Sequence, residues 1–490
     1  MTQTTSKPAE YLLCIGGEWQ SAQNRKTFGK RNPYTGEQIA RVAAASAADA
    51  RRAADAAEAA FPGWAALSPG ARRTLFLKAA EVMEAAQDEV IRTIVAELGS
   101  PLAWAGFNHH YCVDLLREAA AQTYALVGEV IPSDIPHQSA YAVRQPAGVV
   151  LGMAPWNAPL ILGLRSIAMP LAYGNTVVFK GSEESPGVHA LIVRLLNEAG
   201  FPPGVVNYVS HTREDAAEVV EALVAHPAVR RVNFTGSTPV GRKIAEVCAR
   251  HLKPAVLELG GKAPFIVLPD ANIEAAVGAA TFGAFLNQGQ ICMTTQRLIV
   301  HKDVKDAFEA GLKERVSRLN VGDPSDPQTQ VGCLINPQAT ERVQGLLKDA
   351  LDKGARVLVG GEMVGPCLQP TVVTGVTHEM KLYYEEAFGP LVPVIEVGSV
   401  EEAIYVANDS EYGLSSAVFT EDQNLAWEVA SKLDTGMVHI NDATVNDEPQ
   451  MPFGGVKGSG YGHFGGKSGL HEFTELRWIT VQRRPRQFPL

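Results

Sequence analysis

The ten residues from Asn287 to Gln296, NQGQICMTTQ, set a single cysteine among glutamines, a glycine and threonines. Cysteine is more often a small buried hydrophobe than a reagent. In a polar, glycine-containing run it becomes a candidate nucleophile, because the reactive thiolate needs access and a reason to ionise. Such a nucleophile needs a base and a donor for developing negative charge. Three candidates stand where apolar runs end. Glu258 follows AVL in AVLELGGKAP, Asn157 follows GVVLGMAPW, and Lys180 closes NTVVFK with Glu183 three residues on. Each has an ordinary alternative: Glu258 as a plain strand end, Asn157 as a helix cap before Pro159, Lys180 and Glu183 as solvated charges.

The elements that must carry them can be read from periodicity. GVVLGMAPWN, NTVVFK, GVVNYVS, VRRVNF, AVLELGG and PFIVL are short runs rich in Val, Ile and Leu, several separated by helical segments. Strands alternating with helices predict an α/β fold with a doubly wound parallel sheet. The carboxyl ends of such strands border the ligand crevice, which brings Asn157, Lys180 and Glu258 together. A second series, RLIVHKDVKDAFEAGLKERVSRL, ARVLVGG, LVPVIEV, a helix from about Val400, SSAVFT and GMVHIN, predicts a second α/β domain. Alanine-rich helices precede both, one stopped by Gly99, and LAWAGFNHHYCVDLLREAAAQTYAL continues as a helix with Trp104, Asn108 and Tyr111 on one face. His109 and His110 point apart on it and read as surface residues, not a metal pair. The tail FTELRWITVQRRP alternates like an exposed strand that AYAVRQPAG could pair, leaving an edge for another subunit to cover.

At 490 residues and 46% hydrophobic, the chain should form two or three domains. It has no run of about 18 apolar residues, and its N-terminus does not read as a signal peptide; a cytoplasmic protein is expected. A net charge of −10 with dispersed Lys and Arg argues against nucleic acid or an anionic membrane as partner. The six cysteines are far apart with no C-x-x-C pair, so neither a zinc site nor a disulfide framework is expected.

Two glycine patterns bear on phosphate binding. NFTGSTPVGRKIAE runs strand, turn, helix, with Ser237 or Thr238 as cap and Pro239 in the first turn, a terminus that suits an anion. Gly236 and Gly241 have Walker spacing, but Arg242 and Lys243 follow where Lys-Ser/Thr is required, so the NTPase reading fails. Gly460, Gly462 and Gly465 match the dinucleotide fingerprint, but no strand leads in and no acid follows about 20 residues on; they read as loop glycines.

In their order and spacing, APWNAP, VVFKGSE, FTGSTPVG, LELGGKAP, GQICMTTQR, EEAFGPLVPV and PFGGVKGSGYG resemble the aldehyde dehydrogenase superfamily over essentially the whole chain. LAWAGFN, VVFKGSEESP, RRVNFTGST, GQICMTTQRL and VHINDATVNDEPQMPFGG look closest to bacterial members of the salicylaldehyde, vanillin and benzaldehyde type. The resemblance implies a variant Rossmann NAD-binding domain at 1–128 and 148–259, a catalytic domain at 260–458, and oligomerisation strands with the C-terminal tail at 129–147 and 459–490. It implies oxidation of an aromatic aldehyde to its acid through a thiohemiacetal and thioester on Cys292. Asn157 and the Cys292 N–H would bind the oxyanion, and Glu258 would activate water. Coenzyme-A-acylating relatives typically lack that base, so Glu258 favours the free acid.

Trp156, Lys180, Glu183, Gly236, Ser237, Gly260, Glu386 and Phe388 would hold the cofactor by the same resemblance. Lys180 and Glu183 fall at the adenosine ribose, Ser237 at the pyrophosphate, Glu386 at the nicotinamide ribose and Phe388 near its ring. A carboxylate repels a 2′-phosphate, which favours NAD over NADP, though Lys180 could support either. The resemblance also puts Trp104 on the helix that borders the family's substrate tunnel, where it would serve as a stacking platform or as a core residue. Arg165 could meet a phenolic oxygen or carboxylate of the substrate, or pair with a nearby acid. The usual G-R-E-x-G is replaced by Gly462-His463-Phe464-Gly465. A homodimer or a dimer of dimers is implied. An aliphatic aldehyde or a semialdehyde as substrate, and a cysteine hydrolase or acyl-transfer enzyme, stay open as alternatives.

Overall fold

A computed structural model describes residues 8–489. Residues 1–7 of the N-terminal stretch read for a leader lie outside the described residues. The larger sheet has eight strands in the order Gly460–Tyr461, Ala255–Glu258, Val229–Thr235, Val149–Met153, Thr176–Lys180, Val206–Val209, Leu13–Ile15 and Glu18–Gln20. Its five inner strands are parallel, and antiparallel strands close both flanks. Val149–Met153 is the first inner strand in the chain and lies in the middle. Later strands add first on one side and then on the other, so a topological switch lies beside it. The residues that follow Val149–Met153, Thr176–Lys180 and Val229–Thr235 all open at that end.

The second sheet has seven strands, Arg356–Val359, Thr371–Thr374, Leu391–Val397, Thr295–His301, Ala263–Val267, Ser415–Phe419 and Met437–Ile440, parallel except at the first. PFIVL reads on from the first series in sequence, yet Ala263–Val267 lies inside this second sheet. Both sheets carry apolar clusters on their two faces, as near-continuous Val and Ile runs require. A third sheet pairs Thr474–Gln482 with Gln138–Pro146 over nine residues, and Gln138–Pro146 with Gly128–Ile131. Val130, Trp478 and Val481 stand exposed on it.

The helix Pro159–Ala172 follows the central strand and is buried at all 14 positions. Deleting a fully buried leucine from such a helix, as in Leu164→Ala, removes about 2–5 kcal/mol of stability. Two expectations are corrected. His109, on the helix Leu102–Gln122, is buried with Nε2 2.8 Å from the Met83 carbonyl oxygen, because the helix packs on both sides; His110 is exposed. Gly460 and Tyr461 form a short edge strand beside Ala255–Glu258, so the stretch after 459 returns to the larger sheet before the tail begins.

Candidate active site

The helix Ile273–Phe285 breaks into a tight turn at Leu286–Gly289, where Asn287 (φ 48°), Gln288 (φ 56°) and Gly289 (φ 69°) are all left-handed. Two consecutive non-glycine residues there cost roughly 1–2 kcal/mol each, so the turn must be held. Ser100 Oγ donates to Asn287 Oδ1 at 2.7 Å, and Asn287 Nδ2 donates to the Asn157 carbonyl at 3.0 Å. Gln288 Nε2 donates to the Cys333 carbonyl at 3.0 Å, and Gln290 Oε1 accepts from Ile335 N–H at 3.0 Å. The polar companions of Cys292 are therefore buried braces, where the sequence had suggested a solvent-accessible run. Cys292 itself is half-buried at the end of the braced turn.

Glu258 ends its strand 1% exposed. Neither carboxylate oxygen has a hydrogen-bond partner among the described residues, although the Cys292 thiol influences the group's titration. Burial pushes the carboxyl up to about 7 from 4.5, against the lowering effect of that thiol and of Arg165. Burial first, and then the Glu258 charge, hold the Cys292 thiol well above the ordinary cysteine range. The polar run thus does not ionise the thiol, contrary to expectation. Backbone approach explains the glycine after Gly260: a Cβ on Gly261 would lie 2.3 Å from the Cys292 carbonyl oxygen.

Asn157 lies four residues past its strand and is not the helix cap, a position held by Ala158. Its Nδ2 donates to the Gln290 carbonyl at 2.9 Å, and its own carbonyl accepts from Trp104 Nε1 at 3.1 Å. One amide hydrogen remains for another acceptor.

The crevice at the switch carries the other group of residues. Ser237 occupies the N-cap position of the 13-residue helix Thr238–Arg250, exposed and making no side-chain cap bond, so the N–H groups of the first turn are not covered by it. A Cβ on Gly236 would lie 2.5 Å from the Phe234 ring. Lys180 ends its strand, with burial lowering its ammonium pKa and Glu183 working against that shift. Glu386 Oε1 accepts from Gly261 N–H at 3.0 Å, and a Cβ on Gly260 would crowd Glu386 Oε2 at 2.8 Å. Burial pushes Glu386 up to about 6. Phe388 (φ 45°) meets Trp156 edge-on, with centroids 5.7 Å apart.

A cavity of about 380 Å³ reaches Cys292 and Asn157, walled by Trp104, Phe107, Ile161, Phe282 and Phe453. Trp104 is both a core residue and a wall, stacked on Phe107 with centroids 5.5 Å apart. Arg165 also lines the cavity, but its Nη2 bonds Asp447 Oδ2, and Tyr111 Oη at 2.7 Å. The acid-pairing alternative for Arg165 is the observed one.

The sequence had not singled out Asp447, although its segment VNDEPQ belongs to a motif. Lys262 was missed as well. Its Nζ donates to the Glu385 carbonyl at 2.7 Å and to Gln296 Oε1 at 3.3 Å, and Gln296 Oε1 accepts from Ala387 N–H at 2.9 Å. That bridge fixes the segment on either side of Glu386. Its only sequence signal was a lysine directly after two glycines.

The family described as "Aldehyde dehydrogenase family" matches residues 19–479. A vanillin dehydrogenase of Pseudomonas fluorescens is 55% identical over 98% of this chain and 99% of its own length. The solved salicylaldehyde dehydrogenase from Pseudomonas putida G7, complexed with salicylaldehyde, is 45% identical, with a TM-score of 0.97 over 98% of this chain and 100% of that one. A Staphylococcus aureus betaine aldehyde dehydrogenase in complex with NAD+ is 33% identical, with a TM-score of 0.94 over 97% of this chain and 95% of that one.

Proposed function

Because the chain belongs to the aldehyde dehydrogenase family, we propose that it oxidises an aromatic aldehyde to the carboxylic acid with a nicotinamide cofactor, through Cys292. The observation that carries this reading is the aryl-walled cavity that reaches Cys292 and Asn157. Its size suits a substituted benzaldehyde, and Trp104, Phe107, Phe282 and Phe453 give it an aromatic lining.

Cys292 Sγ attacks the aldehyde carbon as the thiolate, its proton given up to solvent, so that Glu258, whose raised carboxyl is poised near neutrality, is free to act as base in the hydrolytic step. The carbonyl oxygen becomes an oxyanion. The free Nδ2 hydrogen of Asn157 and the Cys292 N–H donate to it, each worth about 3–4 kcal/mol of barrier. The bound cofactor supplies the hydride acceptor. For the thioester on Cys292, Glu258 Oε takes a proton from water as that water attacks, and the acid leaves. The braced turn ties the segment before Cys292 to Asn157, through the Gln290 carbonyl and Asn287 Nδ2.

The residues present fit a dinucleotide. The uncapped helix at Ser237 and the close turn at Gly236 suit a pyrophosphate, and Lys180 and Glu183 suit the adenosine ribose. Glu386, with Gly260 leaving it room, suits the second ribose, and Phe388 and Trp156 border the ring. Glu183 favours NAD over NADP. We also read the protein as cytoplasmic and as a homodimer or dimer of dimers joined along Gln138–Pro146 and Thr474–Gln482, whose exposed Trp478 and Val481 need cover. No helix among the described residues is long and apolar enough to cross a membrane.

The test is NADH formation with benzaldehyde, salicylaldehyde, vanillin and hexanal, with Cys292→Ala as blank. Higher kcat/KM for the aryl aldehydes supports the reading. A preference for hexanal removes the aromatic assignment, and no cofactor reduction with any aldehyde removes the activity.

A further inference from the structure

Arg165 and Asp447 are the charged residues among those lining the cavity, and they face each other. Arg165 stands inside the wholly buried helix Pro159–Ala172, 5% exposed. Its Nη2 bonds Asp447 Oδ2 and Tyr111 Oη. Its guanidinium carbon lies 4.6 Å from the Phe453 ring centroid, 5.7 Å from that of Phe464 and 5.8 Å from that of Tyr111. Phe464 belongs to the His463-Phe464 segment that departs from the usual family pattern. Its backbone pairs with Phe453 in both directions, at 2.8 and 3.0 Å. The departure therefore puts a second apolar ring beside the cation.

A lone guanidinium on this wall would be a ready seat for an anionic substituent, because Arg matches carboxylates well. Paired with Asp447 it presents no net charge. A carboxylate-bearing aldehyde entering the cavity would lose its hydration and find the cation already engaged. We infer that Asp447 is a specificity-determining residue that, by holding the Arg165 charge, confines the site to aldehydes without an anionic substituent. The inference rests on the cavity being the aldehyde site and narrows the substrate class within it. Asp447 acts through Arg165 as a positioning residue.

The experiment compares kcat/KM for benzaldehyde and for 4-formylbenzoate. The wild type should prefer benzaldehyde by about 100-fold, the scale of a charge left without its partner. Asp447→Asn keeps the shape and frees the cation, and should raise the relative use of 4-formylbenzoate roughly 10- to 100-fold, mainly through KM. Asp447→Glu should keep the wild-type ratio, whereas simple structural damage lowers both substrates alike. Should Asp447→Asn fail to fold, Arg165→Met combined with Asp447→Leu leaves no buried charge and should still reject 4-formylbenzoate. Equal use of both aldehydes by the wild type overturns the inference. So does an unchanged ratio in Asp447→Asn, or a gain in the double variant. Calorimetric binding of benzamide and 4-carbamoylbenzoate to the wild type reads the same discrimination without turnover. Discrimination in binding with no aldehyde oxidised removes the proposed activity and leaves the inference standing; oxidation of benzaldehyde without discrimination does the reverse.

Discussion

The buried Glu258 carboxylate and the half-buried Cys292 thiol shift each other's proton affinities in opposite directions. The thiol lowers the carboxyl pKa that burial has raised, and the carboxylate raises the thiol pKa further. Neither group can be changed without retuning its neighbour.

Glu258→Gln should therefore do two things at once. Steady-state turnover should fall by about 10²–10⁴-fold with the loss of a general base. Alkylation of Cys292 by iodoacetamide at neutral pH should accelerate, because the opposing charge is gone. Slower alkylation would show that the carboxylate does not suppress the thiolate.

The pH profile follows from the same carboxyl. Its basic form accumulates as pH rises through about 7, so kcat should climb across that value and fall on its acid side. A limb in kcat near pH 4.5 would show an unburied carboxyl.

Stability should carry the opposite sign. The folded carboxyl holds its proton to about 7, against an ordinary 4.5, so the folded state binds the extra proton. The stability it contributes is complete below pH 4.5 and is lost as pH rises through 7. Glu258→Gln should thus melt higher than the wild type at pH 8, with the gap closing toward pH 4.5. Melting curves at the two pH values decide it.

Asn157→Ala should lower kcat by about 10²–10³-fold, as for removal of one oxyanion donor. Asn157→Asp, of the same size but charged, should do worse, since it repels the developing oxyanion. Equal activity of Asn157→Asp and the wild type would exclude a donor role.

Gly261→Ala tests the backbone contact behind the nucleophile. The new Cβ would fall 2.3 Å from the Cys292 carbonyl oxygen, so the turn must shift. Turnover should fall about 10²-fold, the cost of misplacing a reacting group by an ångström. Full activity with an unchanged melting temperature would show the turn to be softer than its bracing implies.

Much of this was legible in the sequence, for a physical reason. A parallel strand buried on both faces must read as an unbroken apolar run, so the polar residue that ends it stands out, as Lys180 and Glu258 do. What stayed hidden depends on contacts distant in the chain. Asp447 is an unremarked acid until folding brings it to Arg165, and His109 is indistinguishable from His110 until both flanks of its helix are packed. The glutamines around Cys292 have the composition of an exposed loop, and only their partners at Gly99, Cys333 and Ile335 reveal them as interior.

The edge strand Gly460–Tyr461 has a consequence for how the molecule is made. It pairs with Leu257 and Glu258, so the strand that ends in the buried carboxylate keeps an open edge until a far later segment leaves the ribosome. The long pairing of Gln138–Pro146 with Thr474–Gln482 waits longer still. A nascent chain can close neither edge on its own. Stalled or prematurely released chains therefore expose bare strand edges that invite aggregation, and the segment that completes the sheet at Glu258 is made long after Glu258 itself.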